Sequence, residues 1–153
     1  MIKSVGVSIC GAIAAFLSST ASAVDVSDMA GLAAAIAGND DITLTTDIDC
    51  AGWTTAASYS GTIDGQNHAI KNLTVAFINA VGEGAAFENL VIKDAVWTWT
   101  KDEIRDYGDH VGGLAISMTG ANIVLRNITF SGCAMKAWAT TSSTVSNARA
   151  YYG

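Results

Sequence analysis

Three stretches with one shared pattern decide the fold: AIKNLTV at residues 69–75, AFENLVI at 86–92 and VLRNITF at 124–130. In each, an apolar residue is followed two positions later by Asn, and two further apolar residues alternate after it. HVGGLAI at 110–116 has Gly113 in the Asn position, and TVSNARA at 144–150 has Asn147 there. The pattern therefore recurs at intervals of about 20 residues, which is typical of repeat proteins.

The Asn position is best explained as a corner in the chain. In a continuous strand Ile70 and Leu73 would point to opposite faces, because successive side chains alternate. A left-handed residue between them resets the alternation, and Asn and Gly adopt that conformation most readily. A ladder of hydrogen-bonded corner side chains is predicted, and its members are Asn72, Asn89, Gly113, Asn127 and Asn147.

Repeats with aligned corners are typical of a solenoid, in which each turn of chain stacks on the one before. The predicted fold class is all-β, a parallel β-helix of about five turns over residues 39–153. The alternative is a β-sandwich with chance Asn-Leu pairs, because sandwiches also have short strands at even spacing.

A short helix and a strand are predicted before the first repeat. Helical spacing relates the apolar residues of SDMAGLAAAIAG at 27–38, which predicts a buried face of Met29, Leu32, Ala33 and Ile36. Ser27 or Asp28 can cap the start, and Gly38 can end the helix. Residues 24–38 are therefore predicted as an N-terminal capping helix that covers the open apolar end of the stack. In DITLTTDID at 41–49, apolar residues alternate with polar ones, which predicts one strand.

The first 23 residues have the features of a secretory signal peptide. Lys3 precedes an apolar run at 5–17, and Ala-Ser-Ala at 21–23 predicts cleavage after Ala23. The apolar run is short for a membrane anchor, and a lipoprotein signal at Cys10 would need a small residue before it. We expect a secreted or cell-surface protein with no integral membrane segment after cleavage.

Composition limits the class of partner. The chain has 14 acidic and 8 basic residues, a net charge of -6 and 50% hydrophobic residues. Such a chain is too apolar to be disordered. It also lacks the cation excess that binds nucleic-acid phosphates, so no nucleic-acid partner is expected. The absence of Pro suits a chain spent largely in strand hydrogen bonds.

The repeats also resemble a known family. The strings ITLTTDID at 42–49, SGTIDGQNHAIKNLTV at 60–75, VGEGAAFENLVI at 81–92 and VGGLAISMTGANIVLRNITFSG at 111–132 are similar to the GLUG-type repeat region of secreted bacterial adhesins, haemagglutinin-like proteins and autotransporter passengers. The resemblance implies a right-handed β-helix exposed at the cell surface. It also implies a binding protein without a cofactor, whose expected partner is a host glycan or surface protein.

The segment VWTWTKDEIRDYGDH at 96–110 is the candidate ligand site. Trp97 and Trp99 alternate with smaller residues, so both indoles lie on one face. If that face points outward, it forms an aromatic platform for sugar rings, with Arg105 and Tyr107 as polar partners. If it points inward, both indoles belong to the core. The long step to the next repeat indicates a loop after Trp99.

Catalysis is the weaker hypothesis. Asp47 and Asp49 share a strand face, and Asp64 lies near a turn, so a polysaccharide lyase or glycoside hydrolase is the alternative function. These carboxylates do not recur at the repeat spacing, and Asp64-Gly65 is also an ordinary turn dipeptide. No catalytic residue is therefore assigned. A further alternative is a structural spacer in a larger cell-envelope protein.

No metal site and no disulfide are predicted. His68 and His110 are about two repeats apart, or about 10 Å, which is too far for one metal ion. Cys50 and Cys133 are separated by three or four turns, well beyond the ~7 Å Cα distance that a disulfide spans. The sequence ends within a predicted turn, so we expect either a longer natural chain or edge-to-edge self-association at the uncapped end.

Overall fold

The chain is mostly β-structure with parallel sheets and little helix. The computed structural model describes residues 22–101 and 113–139. Within them, the helix α1 (Met29–Gly38) lies between the first two strands. The strands in chain order are β1 (Val24–Val26), β2 (Ile42–Leu44), β3 (Ile48–Asp49), β4 (Ala56–Tyr59), β5 (Thr62–Asp64), β6 (Ala69–Lys71), β7 (Ile78–Val81), β8 (Ala86–Lys93), β9 (Val96–Lys101), β10 (Ala115–Met118), β11 (Val124–Ser131) and β12 (Ala134–Ala139).

The strand pairings of the described residues are all parallel, and they form four columns. The first column contains β1, β2, β5 and the first halves of β8 and β11. The second contains β3, β6 and the second halves of β8 and β11. The third contains β9 and β12, and the fourth contains β4, β7 and β10. Successive strands return to the first, second and fourth columns in this order, and from β8 onward the chain also enters the third.

The core consists of side chains at matching positions in successive strands. In the first column Ile42 pairs with Ile63, and Ile63 pairs with Phe87. All three are at most 1% exposed. The second column repeats the arrangement with Ile48, Ile70 and Ile92. Each buried side chain of this size contributes about 1.5–3 kcal/mol, so the matched rows supply much of the stability.

The register corrects the predicted alignment of the corners. Asn89 is aligned with Asn127, because β8 pairs with β11 on both sides of them. Asn72 is aligned with Asp94 instead, since Lys71 pairs with Lys93. The repeated pattern therefore marks two different bends of the chain, which we call the first corner (Asn89 and Asn127), between the first and second columns, and the second corner (Asn72 and Asp94), after the second column. Both corners need the same local chemistry, so one pattern describes both.

The predicted strand at 41–49 is two strands. β2 and β3 are separated by residues 45–47, and they belong to different columns. The buried side chains Ile42, Leu44 and Ile48 retain the expected spacing of two and four. Apolar alternation alone therefore did not reveal the corner between them.

First corners differ in length. Asp64 pairs with Glu88, and Ala69 pairs with Val91. The corner between Asp64 and Ala69 therefore contains two residues more than the corner between Glu88 and Val91. Gln66 and Asn67 within it have positive φ values of 49° and 66°. The flanking strands keep their register in spite of the longer connection.

The helix α1 covers one apolar end of the columns. Asp28 is its N-cap, and its carboxylate accepts a hydrogen bond from the Gly31 N–H at 2.8 Å. Asn39, with φ 58°, is the left-handed C-cap. The buried helical side chains are Leu32, Ala35 and Ile36, whereas Ala33, expected on the buried face, is exposed. The predicted helical region 24–38 also contains β1, which begins at the residue after the predicted cleavage site.

Cys50 and Cys133 are free thiols. Cys50 follows β3 and Cys133 follows β11, and these strands are separated by β6 and β8 in the second column, or by about 14 Å along the stack. Cys50 is fully buried, and burial raises the pKa of its thiol to about 11. A thiol with so high a pKa reacts slowly at neutral pH.

Candidate functional site

The side chains at the first corners form a hydrogen-bonded row on the surface. Asn89 and Asn127 have left-handed backbones, with φ 50° and 54°. The Asn127 side-chain amide donates to Asn89 Oδ1 at 3.0 Å, and the Asn89 amide donates to Asp64 Oδ1 at 3.1 Å. The predicted ladder therefore exists here as Asp64, Asn89 and Asn127, and it ends at the Asp64 carboxylate.

The residues at the second corners form a separate row. Asn72, Asp94 and Gly132 follow one another with φ 61°, 53° and 66°. The Asn72 side-chain amide donates to Asp49 Oδ1 at 3.0 Å, and the same oxygen accepts the Ala51 N–H at 3.0 Å. Asn72 therefore does not join the ladder of Asn89 and Asn127. The φ of 66° at Gly132 is a conformation that residues with a side chain rarely adopt, which favours glycine at this corner.

A small charged cluster, the Asp47 cluster, lies between the first two turns. It comprises Asp47, His68 and Lys71, with Asp47 Oδ1 3.7 Å from His68 Nδ1 and Asp47 Oδ2 3.6 Å from Lys71 Nζ. Asp47 Oδ1 also accepts the Ala69 N–H at 3.0 Å. The side chains are about a third to a half exposed, so solvent screens the charges and the cluster adds little stability.

The three carboxyls considered for catalysis are all held ionised. The Ala69 N–H lowers the pKa of Asp47, and Lys71 and His68 add to the effect. The Asn72 amide and the Ala51 N–H lower the pKa of Asp49. The Asn89 amide lowers the pKa of Asp64, as does hydrogen bonding from Gln66. A general acid for glycoside hydrolysis needs a raised pKa instead, so none of the three has the property of that acid.

These pKa shifts predict a loss of stability in acid. The pKa of each carboxyl lies below its ordinary value of 3.8 in the folded chain, so the unfolded chain binds more protons as the pH falls. We expect the free energy of unfolding from urea titration to be level above about pH 5 and to decrease from about pH 4 downward. Asp64→Asn should show a shallower decrease. An unchanged free energy between pH 7 and pH 3 would contradict the folded-state hydrogen bonds.

Trp97 belongs to the core, and the outward platform is wrong for this residue. Its side chain is 6% exposed, and its indole N–H donates to the Val75 carbonyl oxygen at 3.0 Å. The ring also meets Phe130 edge-on, with centroids 6.4 Å apart. The left-handed Asp94 resets the side-chain alternation just before β9, which turns Trp97 inward.

The other predicted ligand residues are not located by the structure. The backbone of Trp99 lies in β9, but its side chain is outside the described part of the chain. Arg105, Tyr107 and the predicted corner Asn147 also lie outside the described residues. These assignments remain predictions from the sequence.

Gly113 is not a corner. Its φ is not positive, and it leads into β10 of the fourth column. A Cβ on Gly113 would lie 2.7 Å from Cη2 and Cζ2 of Trp97. The close approach of the buried indole therefore favours glycine at this position, through a contact between distant residues that a local pattern does not reveal.

Sequence reasoning missed Asp94 as a corner residue. Asp94 follows Ile92 and Lys93, as Asn72 follows Ile70 and Lys71. This Ile-Lys-Asn/Asp pair, 22 residues apart, matches the register of the second column. It was the signal that could have separated the two corners, since Asp also tolerates the left-handed conformation.

Residues 22–101 and 113–139 contain no group of three or more side chains arranged to bind a metal ion. No helix among these residues is long and apolar enough to cross a membrane. Comparison of the chain with protein-family models, curated proteins and solved structures finds no match.

Proposed function

We propose that the chain is an exported, non-catalytic β-helix segment of the adhesin type, which displays the residues between β9 and β10 to a host glycan or surface protein. The observation that carries the proposal is the register on either side of this segment. β10 pairs with β7 as β7 pairs with β4, although the connection leading to β10 is much longer. A stack that keeps its register around an insertion is suited to presenting it.

The finer fold in this proposal is a right-handed parallel β-helix. Its support is the repeated passage of the chain through the four columns, with parallel pairing and buried side chains at matching positions. The right hand follows from the general preference of parallel strand connections. Left-handed residues at the corners, namely Asn72, Asn89, Asp94 and Asn127, supply bends of the kind that a solenoid needs.

The displayed segment carries the proposed ligand contacts. Arg105 and Tyr107 offer a cation, a hydroxyl and an aromatic face, which suit sugar hydroxyls and rings. Trp99, in β9 next to this segment, is the remaining aromatic candidate, and Trp97 is withdrawn because it is buried. Export is supported by the apolar run at 5–17 and the Ala-Ser-Ala at 21–23.

The lowered pKa values of Asp47, Asp49 and Asp64 count against these carboxyls as the general acid of a hydrolase. Each of these carboxylates also accepts hydrogen bonds from its own chain. Such bonds fix corners and strand ends, which is a structural role. No observation favours the enzyme alternative specifically.

The test is binding of the exported chain to a glycan array and to host-cell surface protein. In the key variant, an equal-length Gly-Ser sequence replaces residues 103–111. We expect it to unfold at the same urea concentration as the parent, because the register on both sides is retained. Binding should weaken by at least about tenfold, since sugar and protein contacts concentrate in a few side chains.

Arg105→Ala and Tyr107→Ala separate the two contacts, and Lys71→Ala serves as the control on the column wall. The control should bind like the parent. Full binding by the Gly-Ser variant would contradict the proposal, as would release of reducing sugar from a bound polysaccharide. Failure to bind any glycan or host protein would favour the spacer function instead.

A further inference from the structure

The last strands leave core positions uncovered by the described residues. Leu125 and Phe130 of β11 match the fully buried Phe87 and Ile92 of β8, but they are 51% and 53% exposed. Met135 of β12 matches Trp97 of β9 and is 55% exposed. Three apolar side chains at core positions are thus left about half exposed by the described residues at one end of the stack, and a cluster of exposed apolar side chains is typical of an interaction surface.

Charge is distributed unevenly along the stack. At the α1 end, the charged side chains of residues 22–60 are all acidic, namely Asp25, Asp28, Asp40, Asp41, Asp47 and Asp49. At the β11 end, the charged side chains of residues 113–139 are both basic, namely Arg126 and Lys136. The two ends of the described columns therefore have complementary charge, so that contact between unlike ends is favourable and contact between like ends is repulsive.

We propose that the chain associates head to tail: a second copy docks on the free edge of β11, with its β1 as the next parallel strand of the first column. This inference goes beyond the display function and rests on the strand register. Among residues 22–101 and 113–139, β1 and β11 are the two outer strands of the first column, and they run in the same direction. Main-chain hydrogen bonds would continue the column across the junction.

The existing register fixes the contacts at the junction. Val24, Ile42, Ile63, Phe87 and Leu125 occupy one row of the column. Continuing the row puts Val24 of the second copy beside Leu125. The next row then puts Asp25 of the second copy beside Arg126, whose guanidinium is already 3.5 Å from Glu88. Arg126 would lie between two carboxylates.

The apolar helix α1 suits the same junction. Its ten residues are MAGLAAAIAG, without a polar side chain, and Ala30, Ala33, Ala34 and Ala37 are exposed. A helix that is apolar on all sides is usually covered by protein. Since α1 packs against β1 and β4 at the acidic end, it would arrive at the junction together with β1.

Sedimentation velocity on the exported chain tests the proposal over a range of concentrations. We expect reversible association that weakens as the salt concentration rises. Asp25→Arg and Arg126→Asp should each raise the dissociation constant at least about tenfold, because each puts like charges side by side. The double variant should return to within about threefold of the parent. An equimolar mixture of the two single variants should also associate, since every junction is then attractive.

Lys71→Asp is the control, because it changes the net charge as Arg126→Asp does but lies away from the ends. It should associate like the parent. Each variant is compared by urea unfolding, so that a folding defect is separated from an association defect. A parent that stays monomeric at every concentration would overturn the proposal. Insensitivity to Asp25→Arg alone would overturn it as well, because β11 would then meet another surface.

Discussion

Phe87→Ala should lower the free energy of unfolding by about 3–5 kcal/mol and leave little folded protein at 37 °C. Phe87 is fully buried in the middle of the first column, between Ile63 and Leu125. Its ring also meets Tyr59 edge-on, with centroids 6.0 Å apart. Truncation would leave a cavity with strands on both sides, and parallel strands tied to their neighbours cannot collapse into it. Urea unfolding followed by circular dichroism measures the loss.

Leu125→Ala is the matched control, because Leu125 occupies the same row one turn later and is half exposed. In dilute protein its truncation should cost less than about 1 kcal/mol. Equal losses for the two variants would contradict the uncovered state of the last turn.

Gly65→Ala should destabilise the fold by about 3 kcal/mol, the second-largest effect that we expect. A Cβ at Gly65 would lie 2.5 Å from the Asn89 carbonyl oxygen and 2.7 Å from Leu90 Cα. Both atoms belong to the backbone of the next turn, so no side-chain rotation relieves the collision. The Gly65 N–H donates to the Glu88 oxygen at 2.8 Å, and this bond would lengthen as the turns separate.

Gly31→Ala makes the same chemical change in α1 and should have the opposite sign. Its Cβ would meet the Asp28 carboxylate at 3.4 Å and Val26 at 3.7 Å, which are ordinary contacts. Replacing Gly by Ala within a helix stabilises it by about 0.5–1 kcal/mol. Parallel urea titrations of the two variants give the comparison. A loss at Gly31 as large as that at Gly65 would show that the close approach of turns is not the cause.

Local chemistry made the β-rich, parallel character of the chain predictable. The apolar residues on either side of an Asn can face one core only if the chain bends at that Asn. Asn72, Asn89 and Asn127 mark such bends, each with a left-handed backbone. The phase of the repeat was not predictable in the same way. Ile70-Lys71-Asn72 and Phe87-Glu88-Asn89 satisfy the same local pattern, although they lie at different corners.

The orientation of Trp97 shows why the candidate ligand site was harder to predict. Alternation relates one side chain to the next but gives no absolute direction, so the direction depends on the nearest corner. That corner is Asp94, which the Asn pattern does not include. Gly113 was misplaced for a related reason, since its contact with the Trp97 ring joins residues of different columns.

The long corner between Asp64 and Ala69 has an evolutionary consequence. Two additional residues are accommodated there while the strands on either side keep their partners. Length variation at a corner is therefore uncoupled from the packing of the interior, and insertions need no compensating change elsewhere. Descendants of such a chain can lengthen one corner at a time and sample new surface chemistry while the scaffold remains intact. The same property makes the bend after Asp64 a suitable position for grafting a foreign peptide.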